Sequence, residues 1–439
     1  MSRTDSRTKV FMELTLGNVS HSFCVVIFFR FGSCPDGSRR RRISAATGEM
    51  HHSKTCKVGT HEMSQQYAFV GCYSGFAPGQ LGWVGSKQPG EGILSFSFSS
   101  ADGSLSLIGK ITKQDSPTWL EIHPNRRFLV ATHELSHHTG VPAGTGFVTS
   151  YQIQPDGALE RVCTQSTGGQ GNTCATFDRT GHFLLVTRYW EGGISVLPFD
   201  PDTGAIGEVT ARPDHTGAGP HPLRQSAPHP HGVHGDPRTN LVYAMDLGTD
   251  KVHQYILDIA TGTLAPQGEV ELAPGCGPRG INFHPSLRVA YVNCELDGTV
   301  AVCAVDNDKG LAPVQTVRCY PEGFEGRGHP ENLGKADFWG AEACLSADAS
   351  HYYYVCRVHQ SIAVYTVGLD DGQLTYSSRC ALAANSNARN LTLDPNGKYL
   401  LVASQDADCV ECFRIDPETG ALELAHTQHA PCAADVAVI

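Results

Sequence analysis

Six residues ahead of a recurring polar turn stand Thr118, Thr173, His231, Arg279, Ala341 and Arg389. Ten residues beyond it stand Glu134, Tyr189, Glu295, Arg357 and Gln405, with Asp246 one position early. Each turn joins two extended stretches into a hairpin, and a hairpin returns its first and last residues to the same edge. Carboxylates and guanidiniums that close successive apolar strands need partners or a use. Any one of them reads equally well as a solvated rim residue paired with a neighbour. Taken together, His231, Arg279, Glu295, Arg357 and Arg389 come from four adjacent units and share one rim. Such a set offers guanidiniums to hold an anion and an imidazole or carboxylate to move a proton.

The long connections agree with this placement. Ser74 to Glu91, Leu135 to Gly146, Pro213 to Pro228 and Tyr320 to Lys335 all fall on the polar rim by the up-down order of strands, where function usually sits. Pro228-His-Pro-His231 puts two imidazoles two apart, on one face if the strand is regular. His133, His137, His138, His215 and His221 lie in nearby rim loops. A divalent site is conceivable, but no third ligand has fixed spacing, and a histidine base needs no metal. The expectation is no metal and no cofactor. Cys409-Val-Glu-Cys412 falls within a strand, where residues three apart point to opposite faces, which argues against a ligand pair.

The elements that must position these residues repeat. Turn glycines recur at Gly103, Gly157, Gly204, Gly262, Gly310, Gly372 and Gly420, spaced 54, 47, 58, 48, 62 and 48 residues. That is the period of a four-stranded antiparallel sheet. A second repeat, such as Ile122-His-Pro-Asn-Arg-Arg-Phe-Leu-Val-Ala and Leu393-Asp-Pro-Asn-Gly-Lys-Tyr-Leu-Leu-Val, occurs six times. Seven glycine turns against six hairpins leave one unit without its first strand. The repeats open at Tyr67-Ala-Phe-Val-Gly-Cys-Tyr and end at Ala434-Asp-Val-Ala-Val-Ile. The expected fold is an all-β, seven-bladed β-propeller whose C-terminal strand completes the N-terminal blade and removes an open sheet edge.

The 439 residues therefore divide into residues 1–62, outside the repeat, and a single domain over 63–439. The first 62 residues hold ten Lys and Arg, including Arg39 to Arg42, against five Asp and Glu; the rest hold 23 against 39. We read the leader as disordered or as a mis-assigned start before Met63, with a targeting peptide as the alternative. An acidic β-rich body argues against nucleic acid as a partner. No run of 18 apolar residues is present to span a membrane as a helix. Sixteen cysteines without a disulfide spacing suggest a reducing compartment, so the expected location is the cytoplasm and the expected state a monomer.

Several stretches resemble the seven-bladed propeller lactonases, which include bacterial-type 6-phosphogluconolactonases and fungal 3-carboxy-cis,cis-muconate cyclases. They are Tyr67 to Tyr73, Pro228-His-Pro-His-Gly through Asp246-Leu-Gly-Thr-Asp-Lys-Val, Gly277-Pro-Arg-Gly-Ile-Asn-Phe-His-Pro, Glu295-Leu-Asp-Gly-Thr-Val and Asn387-Ala-Arg-Asn through Ala403-Ser-Gln-Asp. The resemblance covers residues 67–439. By motif, the His, Arg, Glu and Arg of the muconate branch's active site fall on His231, Arg279, Glu295 and Arg357. It implies hydrolysis of a sugar-acid lactone, with 6-phosphogluconolactone as the leading substrate. Glu295 or His231 would serve as base, Arg279 and Arg357 would stabilise the oxyanion, and His229, Arg389 and Gln405 would bind substrate. A lactonising enzyme acting on a carboxylated muconate and a non-catalytic rim that binds a protein or small anion are the alternatives. The chain departs from the family pattern at Arg188, Gly280 and Cys294, where relatives more often carry Asn, His and Asn.

Overall fold

The computed structural model describes residues 65–75, 84–86, 88–112, 114–135, 142, 144–306, 310–328 and 336–439. The leader reading for residues 1–62, and His137 and His138, lie outside them. The described residues contain strands and turns without a helix. Seven of their eight sheets are antiparallel blades, and the eighth is a two-stranded ribbon of Arg327–Gly328 and Ala336–Asp337. The innermost strands are Ala433–Val438, Leu120–Ile122, Ala175–Phe177, Pro230–Gly235, Pro278–Phe283, Gly340–Leu345 and Ala388–Leu393. Each touches the next, and the last touches the first, so they enclose one axis. We number the blades 1 to 7 in that order.

Blade 1 is closed as expected. Its inner strand, Ala433–Val438, comes from the C-terminus and pairs antiparallel with Gln66–Cys72, Phe69 opposite Ala437 and Val70 opposite Val436. Blade 3 differs from the four-stranded expectation. It has three strands, and three isolated bridges stand where its outer strand would be: Gly193 with Asp214, Val196 with Ala211 and Phe199 with Ile206. Arg188 accounts for part of the irregular edge, since its buried Nη2 donates to the carbonyls of Ile194 and Pro213 and to Asp214. The residue that departs from the family pattern there thus serves blade 3.

The seven turn glycines all have φ between 66° and 80°, the left-handed region that a side chain disfavours. They have a second use. A Cβ on Gly157 would come within 2.3 Å of the Tyr67 ring, and one on Gly204 within 2.5 Å of Phe128, each on the preceding blade. Each outer turn therefore rests on the strand that leads its neighbour. Between neighbouring blades lie apolar clusters, such as Tyr291, Tyr352 and Tyr354 at the seam of blades 5 and 6 and Leu400, Val402 and Ile362 at that of 6 and 7. Burying one such side chain contributes about 1.5–3 kcal/mol.

The inner strands share one irregularity that bears on the site. In blade 4 Pro230 pairs with Asp246 and Gly232 with Met245, which leaves His231 as an extra residue. Arg279 is left out in the same way between Pro278 and Gly280, and Arg389 between Ala388 and Asn390. In blade 6 the shift between Gly340 and Ala343 leaves out both Ala341 and Glu342. A β-bulge re-aims the side chain it carries, and His231, Arg279 and Arg389 meet around one small void, while Ala341 packs in the seam of blades 6 and 7.

Candidate active site

The bulged residues meet the ends of the second strands. Glu295 follows the strand Val289–Cys294 of blade 5, and Arg357 follows His351–Cys356 of blade 6. The Glu295 carboxylate is buried at 3% exposure under a ring of cations. Its Oε2 lies 3.0 Å from Arg357 Nη2, 3.3 Å from Arg279 Nε and 3.7 Å from His231 Nε2. Its Oε1 lies 2.8 Å from Arg224 Nη2. Burial pushes this carboxyl up, but Arg357, Arg224, His231 and Arg279 outweigh it and hold it well below the carboxylate range. Glu295 is an ionised but weakly basic carboxylate.

His231 has the opposite character. Burial first, then Arg279, pulls its imidazole well below the usual histidine range, with Glu295 opposing. It is therefore neutral near pH 7 and able to accept a proton. Thr173 Oγ1 donates to the His231 carbonyl at 2.8 Å and fixes the bulge.

The guanidiniums divide by what they already hold. Arg279 pairs with Glu342 through Nη1 and reaches the Arg389 carbonyl through Nη2 at 3.4 Å. Arg357 donates to the carbonyls of Trp339 and Gly340, both at 3.3 Å, and its charge lies 5.6 Å from the centre of the Trp339 ring. Trp339 takes φ 48°, an unusual conformation for a bulky residue that suggests local strain at the site. Burial pulls Arg357 down to about 10, and Glu295 opposes the shift. Arg389 donates to Tyr73 Oη at 2.8 Å, and Tyr73 in turn donates to Glu134 at 2.7 Å. Among the described residues no carboxylate lies within ion-pair distance of Arg389.

These groups line a cavity of about 320 Å³ that includes His231, Glu295, Arg357, Arg389, Arg224 and Tyr189. Its size is that of a small-molecule site. Arg279 lines instead a void of about 10 Å³ beside it, with Tyr73, Thr118 and Glu134. That is close to the space one water needs. Four guanidiniums face three carboxylates, Glu134, Glu295 and Glu342, which leaves positive charge in excess. Burial raises the Glu342 carboxyl, and the paired Arg279 guanidinium opposes the shift.

Some expected residues lie elsewhere. Gln405 is wholly buried and donates to Asp406 at 2.6 Å, so its side chain does not reach the cavity. Asp246 is wholly buried and holds the rim from behind, accepting from the backbone N–H groups of His229 and Gly248. His229 and His231 do not share a regular face, because the bulge intervenes. His229 stacks flat on Tyr189 at 4.6 Å while His231 meets the same ring edge-on at 5.8 Å. Cys294 lies buried with its Sγ turned to the Val292 carbonyl.

Three buried metal-capable groups do cluster, and of the histidines weighed from the sequence only His215 is among them. His215, Asp246 and His253 bring one ligand atom each within 4.8 Å of the others. The His215 and His253 rings, however, stack 3.7 Å apart and 20° from parallel. No point at bonding distance lies in the plane of both rings, as ligation by both requires. In this arrangement His215 Nδ1 holds Asp246 Oδ2 at 2.7 Å and anchors the connection between blades 3 and 4. Arg224, Glu342 and Trp339 carry no motif that marks them for the site. Arg224 lies in the Pro213–Pro228 connection, whose length was the one available signal.

Comparison with known proteins agrees with this architecture. The chain is 30% identical over 348 residues to a 6-phosphogluconolactonase of Bacillus subtilis, covering 78% of this chain and 93% of that protein. It is 26% identical over 352 residues to one of Formosa agariphila, covering 78% and 94%. The solved structure of a periplasmic gluconolactonase from Pseudomonas aeruginosa superposes with a TM-score of 0.74 at 26% identity, covering 86% of this chain and 99% of that one. Residues 68–438 match the family described as Lactonase, 7-bladed beta-propeller, and the chain belongs to that family.

Proposed function

We propose that the protein hydrolyses 6-phosphogluconolactone to 6-phosphogluconate at the cavity around Glu295. The observation that carries this reading is the pairing of neutral His231 with ionised Glu295 beside Arg389, a guanidinium without a carboxylate of its own among the described residues. Relatives named 6-phosphogluconolactonase support the choice of substrate. Ester hydrolysis needs a base for water, donors for the oxygen that gains charge, and cations for the substrate's anion.

His231 takes the proton of the attacking water, and Glu295 stabilises the imidazolium that forms. Arg357, whose Nη1 has no acceptor among the described residues, donates to the carbonyl oxygen as it becomes an oxyanion. Arg389 holds an anionic group, and His229, which does not line the cavity itself, braces the Tyr189 ring that does. Arg279, held by Glu342 on its other side, keeps Glu295 in place. The thirteen described cysteines are free thiols, which supports a reducing compartment such as the cytoplasm. The test is a coupled assay of 6-phosphogluconolactone hydrolysis by the full chain, with His231→Asn and Arg357→Ala alongside and a chelator control. Turnover above the spontaneous rate, lost in both variants and unchanged by chelator, is expected. Spontaneous-rate hydrolysis by the wild type overturns the reading.

A further inference from the structure

Among the cavity guanidiniums Arg224 alone comes from a connection between blades, Arg389 lying on an inner strand and Arg357 at the end of a second strand. Arg224 sits in the connection between blades 3 and 4, and that connection is pinned on both sides of it. His221 Nε2 lies 3.1 Å from Asp337 Oδ1. Gln225, wholly buried, donates to the Leu247 carbonyl at 2.8 Å and to Asp250 at 2.6 Å. The backbone that carries Arg224 is therefore anchored on either side of it.

The side chain is less committed than its neighbours. It is 32% exposed, against 6% for Arg279 and Arg357. Only Nη2 has partners, Glu295 Oε1 at 2.8 Å and Tyr189 Oη at 3.2 Å. Nε and Nη1 have no acceptor among the described residues. A solvent-accessible guanidinium with open donors, at the edge of a cavity that already holds excess positive charge, is arranged to receive an oxyanion from solution.

We propose that Arg224 is the specificity-determining residue for a phosphorylated substrate: its open donors take the phosphomonoester while the lactone carbonyl lies against Arg357 and His231. The proposal rests on the lactonase reading and adds to it the residue that tells a phosphorylated lactone from a neutral one.

The test is the ratio of kcat/KM for 6-phosphogluconolactone to that for unphosphorylated gluconolactone, in wild type, Arg224→Gln and Arg224→Lys, with thermal melts to confirm folding. Because both substrates feel the same change at Glu295, the ratio isolates the phosphate contact. A charge-assisted hydrogen bond corresponds to roughly 10- to 100-fold, so the ratio is expected to fall at least about tenfold in Arg224→Gln and less in Arg224→Lys. An unchanged ratio overturns the proposal. If the wild type accelerates neither lactone, the lactonase reading fails by itself, and Arg224 is then judged by inorganic phosphate. Thermal protection by phosphate that is weaker in Arg224→Gln supports the contact, and equal protection overturns it.

Discussion

Gly280 is the space into which Glu342 reaches: a Cβ on Gly280 would lie 2.6 Å from Oε1 of Glu342 and 2.9 Å from Oδ1 of Asn293. Through its other oxygen Glu342 pairs with Arg279, and Arg279 supports Glu295. A glycine in blade 5 thereby admits a carboxylate from blade 6.

Gly280→Ala is expected to push Glu342 aside, loosen Arg279 and lower kcat, with about 1–3 kcal/mol of stability lost to overpacking. Thermal melts and steady-state kinetics on the variant check this. Wild-type values in both would show that the carboxylate moves without consequence.

Glu295→Gln removes the charge that three guanidiniums and His231 surround. If the imidazolium depends on that charge, turnover falls roughly 10²-fold or more. The measurement is kcat at saturating lactone, and wild-type turnover would take Glu295 out of the mechanism.

The two depressed groups at the site set an acid limit to stability. His231 has its folded value below the ordinary 6.5, and Glu295 below the ordinary 4.5. The unfolded chain therefore binds protons first as pH falls, and stability is lost below about 6.5 for His231 and further below about 4.5 for Glu295. Melting temperature followed from pH 7 to 5 should decline less steeply in His231→Asn than in wild type. Identical slopes would contradict a buried neutral imidazole.

The other end of the axis behaves in the opposite sense. Asp435, on the closing strand, and half-buried Glu121 line a cavity of about 420 Å³. Burial pushes Asp435 up to about 7 and Glu121 up to about 8, with the Asp435 charge adding to the Glu121 shift and the Glu342 charge to that of Asp435. Folded values above the ordinary carboxyl range mean that the folded chain holds protons the unfolded chain has lost. Stability is thus greatest below about pH 4 as far as this pair is concerned, and is lost as pH rises to 7–8. Glu121→Gln is expected to raise the melting temperature at pH 8 more than at pH 5, and an equal change at both would sink the idea.

Deleting Ala433 to Ile439 strips blade 1 of its inner strand and exposes the ladder of Gln66–Cys72. The expected result is a chain without a cooperative melt. Native stability in the truncated protein would show that another segment can close the ring.

The number of blades, the site of ring closure and the shared rim of His231, Arg279, Glu295, Arg357 and Arg389 were legible in the amino-acid sequence. Turn glycines at φ near 70° and apolar strands at a set period are local requirements, and local requirements leave a periodic trace in one dimension. Direction along each hairpin then assigns residues to a rim without knowledge of neighbours.

What only the tertiary structure decided is how those rim residues divide their work. The bulges at His231, Arg279 and Arg389 depend on pairing between strands, so alternation along one strand misplaces His229 relative to His231. Gln405 has the right position in its hairpin but is buried against Asp406 and does not line the cavity, while Arg224 has no repeat position and reaches the cavity from a pinned connection. Glu342 finds Arg279 across a seam 63 residues away in the chain. Pairings of that kind are set by packing among distant segments, and no spacing in the sequence records them.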